Sequence, residues 1–394
     1  MMLPTIQDAI RCLATVLIVV TSVIPASLIS ADSLEQDRDS NTTAEASNEK
    51  IPLRPVPDDE LTEQRLSQAE IHVEDGGDIR VGSTTYEVVQ ENGDSTATAN
   101  PTGERDRFWL INTRHLSSSA RCVNLDSPNL AIYRLHCSSR PCRVPFEEYL
   151  QTLGERRMAV VYVHGNRIPP DEAIERGFAV YRNVKCYRTG SPIDWVIWSW
   201  PSEKKGLLMR DARIKASRTD GQGLYLAWVL KHHAGEGIST TLIGYSFGGR
   251  SVTGALHAAA GGALAGRKLP GEPVKDGAFD AGLVAPAVDA HWLTSRGYHH
   301  LATQNLNQLV LMYNRRDAVL KRFWLVDKVK GRMALGYSGP TAFAPRFDGT
   351  KLPVRARDCS PSIGVQHDEL DYYRKSCHAG WEMARLIDDY YVNH

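Results

Sequence analysis

Short runs of apolar residues recur along the chain from about residue 105 onward, and several stretches between them place apolar residues every three or four positions. The runs are Phe108 to Asn112, Leu130 to Tyr133, Met158 to Val163, Asp194 to Trp200, Thr241-Leu242-Ile243, Ala281 to Ala285, Leu309 to Tyr313 and Leu352 to Ala356. Continuous apolar runs of this kind are characteristic of strands buried on both faces. Val144 to Gly154 and Gln222 to His232 read as helices, as does a late stripe of Leu370, Tyr373, Cys377, Trp381, Ala384, Ile387 and Tyr391. Seven or eight strands alternating with helices predict an α/β domain over residues 105–394, with a mostly parallel central sheet and helices on both faces.

The chain before residue 105 has a different character. Arg11 is followed by Cys12-Leu13-Ala14-Thr15-Val16-Leu17-Ile18-Val19-Val20, and the segment continues through Ser22, Ile24 and Pro25 to Ala31. A basic residue ahead of an apolar core is the pattern of an export segment, so residues 1–31 are expected to be a signal peptide or membrane anchor. Ile29-Ser30-Ala31 offers a small residue at only one of the two positions a cleavage site prefers, which keeps a tether through residues 12–30 as the alternative. Residues 32–65, rich in Asp, Glu, Ser, Asn, Thr and Pro, read as a disordered acidic linker. Residues 66–104 hold short apolar runs such as Tyr86-Glu87-Val88-Val89 between Gly76-Gly77 and Asn92-Gly93 turn signals, which predicts a small β-rich segment. The expected location is the periplasm, the cell envelope or the extracellular space.

Charge and cysteine content narrow the chemistry. The 394 residues carry 46 Lys plus Arg against 46 Asp plus Glu, so no overall positive field favours a nucleic-acid partner. Six cysteines besides Cys12, namely Cys122, Cys137, Cys142, Cys186, Cys359 and Cys377, allow up to three disulfides in an oxidising compartment, with the pairing left open. Cys137 and Cys142 are spaced too widely for a zinc-knuckle pair, and His232-His233 and His299-His300 are neighbours whose side chains point in different directions. No metal and no cofactor is expected.

The strand Thr241-Leu242-Ile243 runs directly into Gly244-Tyr245-Ser246-Phe247-Gly248-Gly249 and then into an alanine-rich, helix-compatible segment. This is a nucleophile elbow, in which a serine sits on a sharp strand-to-helix turn and glycines make room around it. On this motif, together with Val163-His164-Gly165-Asn166, Ser199-Trp200-Pro201-Ser202, Ala285-Pro286-Ala287-Val288-Asp289 and Asn314-Arg315-Arg316-Asp317, the chain resembles the α/β-hydrolase superfamily over roughly residues 105 to 394. Within it, the His-Gly-Asn and Ser-Trp-Pro-Ser motifs resemble an uncharacterised bacterial branch. The motifs follow the superfamily's order: oxyanion turn, nucleophile, acid, histidine.

A serine hydroxyl is a poor nucleophile at neutral pH, so Ser246 requires a base and the base requires an orienting acid. Asp317, past the Leu309 to Tyr313 strand, is the expected acid because the resemblance places it after the later strand; Asp289 is its rival. His367 stands just before the late helical stripe, with Asp368 as N-cap, on the loop where the superfamily places its base, whereas His378 falls inside the stripe. The oxyanion donors are expected to be the backbone N–H of Phe247 and one from Gly165 or Asn166, with His164 pinning that turn. The expectation is an exported serine hydrolase acting on small-molecule or lipid-like esters through an acyl-enzyme. Its rival is a binding or envelope-interaction protein that keeps the scaffold without the chemistry.

Overall fold

The computed structural model describes residues 105–135, 141–204, 208–275, 279–327 and 331–389, with three short strands before them. These are Ile71–Val73 (β1), Ile79–Val81 (β2) and Thr84–Tyr86 (β3), paired antiparallel in that order. They fall where a small β-rich element is expected. The export segment over 1–31, the linker over 32–65 and the Asn92-Gly93 turn lie outside the described residues.

The main domain is a sheet of nine strands: Arg107–Asn112 (β4), Ala131–Leu135 (β5), Cys142–Val144 (β6), Met158–Val163 (β7), Asp194–Ser199 (β8), Ser239–Tyr245 (β9), Phe279–Val284 (β10), Leu306–Tyr313 (β11) and Val354–Asp358 (β12). Their order is β12-β11-β10-β9-β7-β8-β4-β5-β6. Every neighbouring pair from β12 to β4 is parallel, and β5 and β6 extend the far edge antiparallel. Strands β7 to β10 are buried along their whole length, which is why they read as unbroken apolar runs. The chain proceeds from β7 outward to β8 and then returns to place β9 on the other side of β7. The carboxyl ends of β7 and β9 therefore flank a topological switch point, where a crevice opens in sheets of this kind.

Helices Phe146–Gly154 (α1), Leu208–Gly235 (α3) and Phe247–Ala259 (α4) cover one face; Pro170–Lys185 (α2), Glu369–Arg374 (α5) and Ala379–Asp388 (α6) cover the other. The alternation of side chains along β8 shows the two faces directly. Trp195 meets Tyr181 of α2 with ring centroids 5.4 Å apart, while Trp198 donates its indole N–H to Gln222 of α3 at 3.1 Å. Both tryptophans are fully buried, as expected of packing residues. With this order, parallel pairing and elbow, the domain has the α/β-hydrolase fold.

Two boundaries differ from the sequence pattern. Val144 ends the short strand β6 rather than starting a helix; it precedes Pro145, whose ring disfavours helical backbone in the residue before it, and α1 begins at Phe146. The late stripe is not one helix but two, α5 and α6, separated by a turn in which His378 adopts left-handed backbone with φ 56°. The restart lets Gly380 lie against α2, where an added Cβ would be 2.2 Å from the Asn183 carbonyl oxygen. Trp381 emerges from this rearrangement 41 % exposed, with the Arg385 guanidinium over its ring. Periodicity persists across the break because both helices face the same core.

Among the buried carboxyl groups, Glu369 and Asp280 have pKa values raised by burial. Glu369 of α5 accepts a hydrogen bond from Tyr162 Oη at 2.7 Å, and burial pushes its pKa up to about 8; burial likewise raises Asp280 of β10 to about 7. The folded chain keeps these protons above the pH at which an unfolded chain releases them. Stability attributable to them is thus full below about pH 4 and is lost as pH rises toward 8. Replacing Glu369 by Gln, which still accepts from Tyr162, is expected to raise Tm at pH 8.5 by about 2 °C or more, with a smaller difference at pH 5. Thermal melts at the two pH values check this; an equal offset at both contradicts it.

Candidate active site

The elbow is built by close backbone contact. Ser246 follows β9 directly and takes φ 52°, ψ −116°, a conformation few non-glycine residues adopt. It is held there by two backbone bonds of 3.0 Å, from its own N–H to Val284 O and from Ala287 N–H to Ser246 O. A Cβ on Gly248 would sit 2.0 Å from Val163 O, and one on Gly244 would sit 2.8 Å from Gly249 N. Glycine at these positions lets α4 start directly against the end of β7.

Ser246 Oγ lies 3.0 Å from His367 Nε2, and His367 Nδ1 lies 2.6 Å from Asp317 Oδ2. Asp317 is fully buried, and its other oxygen, Oδ1, accepts the backbone N–H groups of Val319 and Leu320 at 2.9 and 2.8 Å. With Asp317 as acceptor, His367 carries its proton on Nδ1 and leaves Nε2 free to accept from the serine hydroxyl. The Tyr245 ring stacks on the imidazole with centroids 5.3 Å apart.

The rivals lie elsewhere. Asp289 accepts the His291 N–H at 2.8 Å and pairs with Arg332 at 3.4 Å; His378 is the exposed N-cap of α6. Arg315 pairs with Asp358 at 3.8 Å rather than with Asp317.

Asn314, the first residue after β11, was not singled out as a functional residue by the sequence. It is fully buried and its side-chain amide donates to Gly364 O at 2.8 Å and Gln366 O at 3.4 Å, while its Oδ1 accepts the Arg316 N–H at 2.9 Å. With the Ala318 N–H to Val365 O bond of 3.1 Å, it ties the loop carrying Asp317 to the loop carrying His367. The available sequence signal is an Asn three residues before the Asp, a residue type whose side chain caps its own turn.

The turn after β7 also borders Ser246. A Cβ on Gly165 would lie 2.6 Å from the Tyr245 ring and 3.4 Å from Ser246 Cβ, so the Gly165 backbone abuts the elbow. Phe247 begins α4, where N–H groups have no partner within the helix. The adjacent Asn166 has its Oδ1 buried without a hydrogen-bond partner. The turn itself is pinned by the end of β8. His164 is fully buried and stacks on Trp200 at 5.8 Å; its Nδ1 meets Gly165 O at 2.9 Å, and its Nε2 accepts the Trp200 N–H at 3.3 Å. Trp200 returns an indole N–H to His164 O at 2.8 Å, and Ser202 Oγ bonds Ile168 O at 3.0 Å. Burial drives the His164 pKa well below the ordinary histidine value, so the ring is neutral.

The remaining conspicuous histidines have local partners: His233 lies between Tyr149 and Thr240, and His299 bonds Thr253. Among the described residues, no cluster of three or more His, Cys, Asp or Glu is arranged to hold a metal ion.

No protein-family model and no curated protein matches the chain. Among solved structures it is similar to the C6-C4 SN3 inhibited esterase B from Lactobacillus rhamnosis, with TM-score 0.36 and 15% identity over 73% of this chain and 89% of that one. It is also similar to Thermogutta terrifontis esterase 2 phosphorylated by paraoxon, with TM-score 0.32 and 16% identity over 60% of this chain and 82% of that one.

Substituting Gly248 by Ala is expected to cost on the order of 3 kcal/mol of stability, because the carbonyl it strikes belongs to a buried strand. Gly154→Ala, where nothing lies within 4 Å of the new methyl group, is expected to be neutral or slightly stabilising. Urea denaturation of the two variants checks the contrast.

Proposed function

We propose that the protein is a serine hydrolase that cleaves carboxylic esters through an acyl-enzyme. The observation that carries this reading is the continuous hydrogen-bonded line from Asp317 through His367 to Ser246, ending on an elbow at the switch point of the sheet. Ser246 Oγ attacks the acyl carbonyl while His367 Nε2 takes its proton, and the buried Asp317 stabilises the imidazolium that forms. The negative charge on the tetrahedral oxygen is met by the N–H of Phe247 and one from Gly165 or Asn166. Collapse expels the alcohol, which receives the proton from His367. Water, deprotonated by the same histidine, then attacks the acyl-enzyme; collapse releases the acid, and His367 returns the proton to Ser246 Oγ.

The substrates we propose are small-molecule or lipid-like esters. We also propose export, directed by residues 1–31, with residues 12–30 serving as a membrane tether where that segment is retained, on the strength of the basic-then-apolar pattern there.

Hydrolysis of p-nitrophenyl acetate and butyrate tests the chemistry. Ser246→Ala is expected to lower kcat by on the order of 10⁴-fold or more, and Asp317→Asn by about 10³- to 10⁴-fold. His378→Ala is expected to stay within about twofold of wild type, since it touches neither Ser246 nor His367. Full activity in Ser246→Ala overturns the reading, and a folded wild type inert toward acyl esters supports a non-catalytic binding module instead.

A further inference from the structure

The described cysteines fall into two groups. Cys122, Cys142 and Cys186 are exposed, whereas Cys359 and Cys377 are each 1% exposed. Cys359 directly follows β12, its N–H bonded to Tyr313 O at 2.7 Å. Cys377 sits in the turn that separates α5 from α6, with its Sγ 3.9 Å from Cys359 O. Ser362 Oγ, in the short helix Ser360–Ile363 that follows Cys359, and Ser376 Oγ, next to Cys377, are 2.8 Å apart, so side chains already bridge these segments at two places. The chain between the two cysteines carries His367.

We propose that Cys359 and Cys377 form a disulfide that closes the segment bearing His367. The importance of this closure for catalysis rests on the role proposed for His367; the bond itself does not. A cross-link there ties the two ends of a segment whose middle is held by Asn314 and Asp317, and so reduces the freedom of the states in which His367 leaves Ser246. It also accounts for two thiols buried side by side.

The chemistry is thiol–disulfide exchange with an external disulfide, such as oxidised glutathione or an oxidoreductase. Cys377 is the first nucleophile, because it sits in a turn between exposed Ser376 and His378, the side from which a donor disulfide approaches. Its thiolate attacks one sulfur of the donor and expels one thiolate. Cys359, after losing its proton, attacks the Cys377 sulfur of the mixed disulfide and expels the second. The protein loses two thiol protons, and the donor disulfide is reduced to two thiols. Cys377 itself is buried, but its neighbours Arg374, Lys375, Ser376 and His378 are all exposed, so the donor meets it through this turn.

Peptide mapping of the wild-type protein tests the proposal. After incubation with oxidised glutathione, remaining thiols are blocked with N-ethylmaleimide in denaturant and the chain is digested with trypsin without reduction. Cleavage at Arg357, Arg374, Lys375 and Arg385 separates the cysteines into peptides Asp358 to Arg374 and Ser376 to Arg385. The expected product is these two joined, two hydrogens lighter than their sum, and resolved into the separate peptides by a phosphine reductant. The oxidised protein is also expected to melt at a higher temperature than the reduced one, a gap lost in Cys377→Ser. N-ethylmaleimide on both cysteines, or linkage of either one to Cys122, Cys142 or Cys186, overturns the pairing. Neither readout measures hydrolysis, so failure of the pairing is distinct from failure of the proposed activity.

Discussion

The contact between Gly248 and the carbonyl of Val163 governs the geometry of the domain's functional end. With no side chain between them, α4 begins against the last residue of β7, and the chain leaving β9 must reverse sharply through Ser246. The serine backbone is strained as a result, and the structure holds it by bonding both its N–H and its carbonyl to the segment from Val284 to Ala287. The same closeness brings Gly165 beside Tyr245 and Ser246, so the two segments that flank the crevice form one unit. Because β8 lies on the far side of β7, its Ser-Trp-Pro-Ser end is placed to brace this unit through His164, and a buried neutral imidazole serves as the strut.

The other half of the site arrives on loops, which by themselves would wander. Their order comes from buried polar groups with specific partners. Asp317 is clamped by two backbone N–H groups, and Asn314 reaches across from the end of β11 to the backbone on either side of Val365. A polar network of this kind, sealed under α5 and the adjoining turns, fixes side-chain position more closely than apolar packing does. It also leaves ionisable groups such as Glu369 buried nearby, where their protonation bears on stability.

Much of this architecture is legible in the sequence because it depends on short-range patterns. Buried parallel strands appear as apolar runs, and the elbow appears as glycines around a serine after such a run. Periodicity reports burial but not partners, however, and this explains what it leaves out. Nothing local tells that β4 lies parallel beside β8, that Cys142 to Val144 forms the outermost strand of that edge, or that α5 and α6 are separate helices sharing one face. The role of Asn314 and the approach of Cys359 to Cys377 are likewise created by tertiary contact between segments dozens of residues apart or divided by a turn. The preference for Asp317 over Asp289 rests on the resemblance, which places the acid after the later strand, and that for His367 over His378 on its position just ahead of the late helical stripe; Asp317 and His367 lie within hydrogen-bond distance of each other.

The central claim is that Ser246 is an activated nucleophile, and covalent labelling with a fluorophosphonate followed by mass-spectrometric location of the adduct measures this directly. The account predicts rapid modification at Ser246 alone, slowed severely when His367 is replaced by Ala while His378→Ala reacts like the wild type. A folded protein that remains unlabelled, or one whose adduct lies on a different residue, would contradict it.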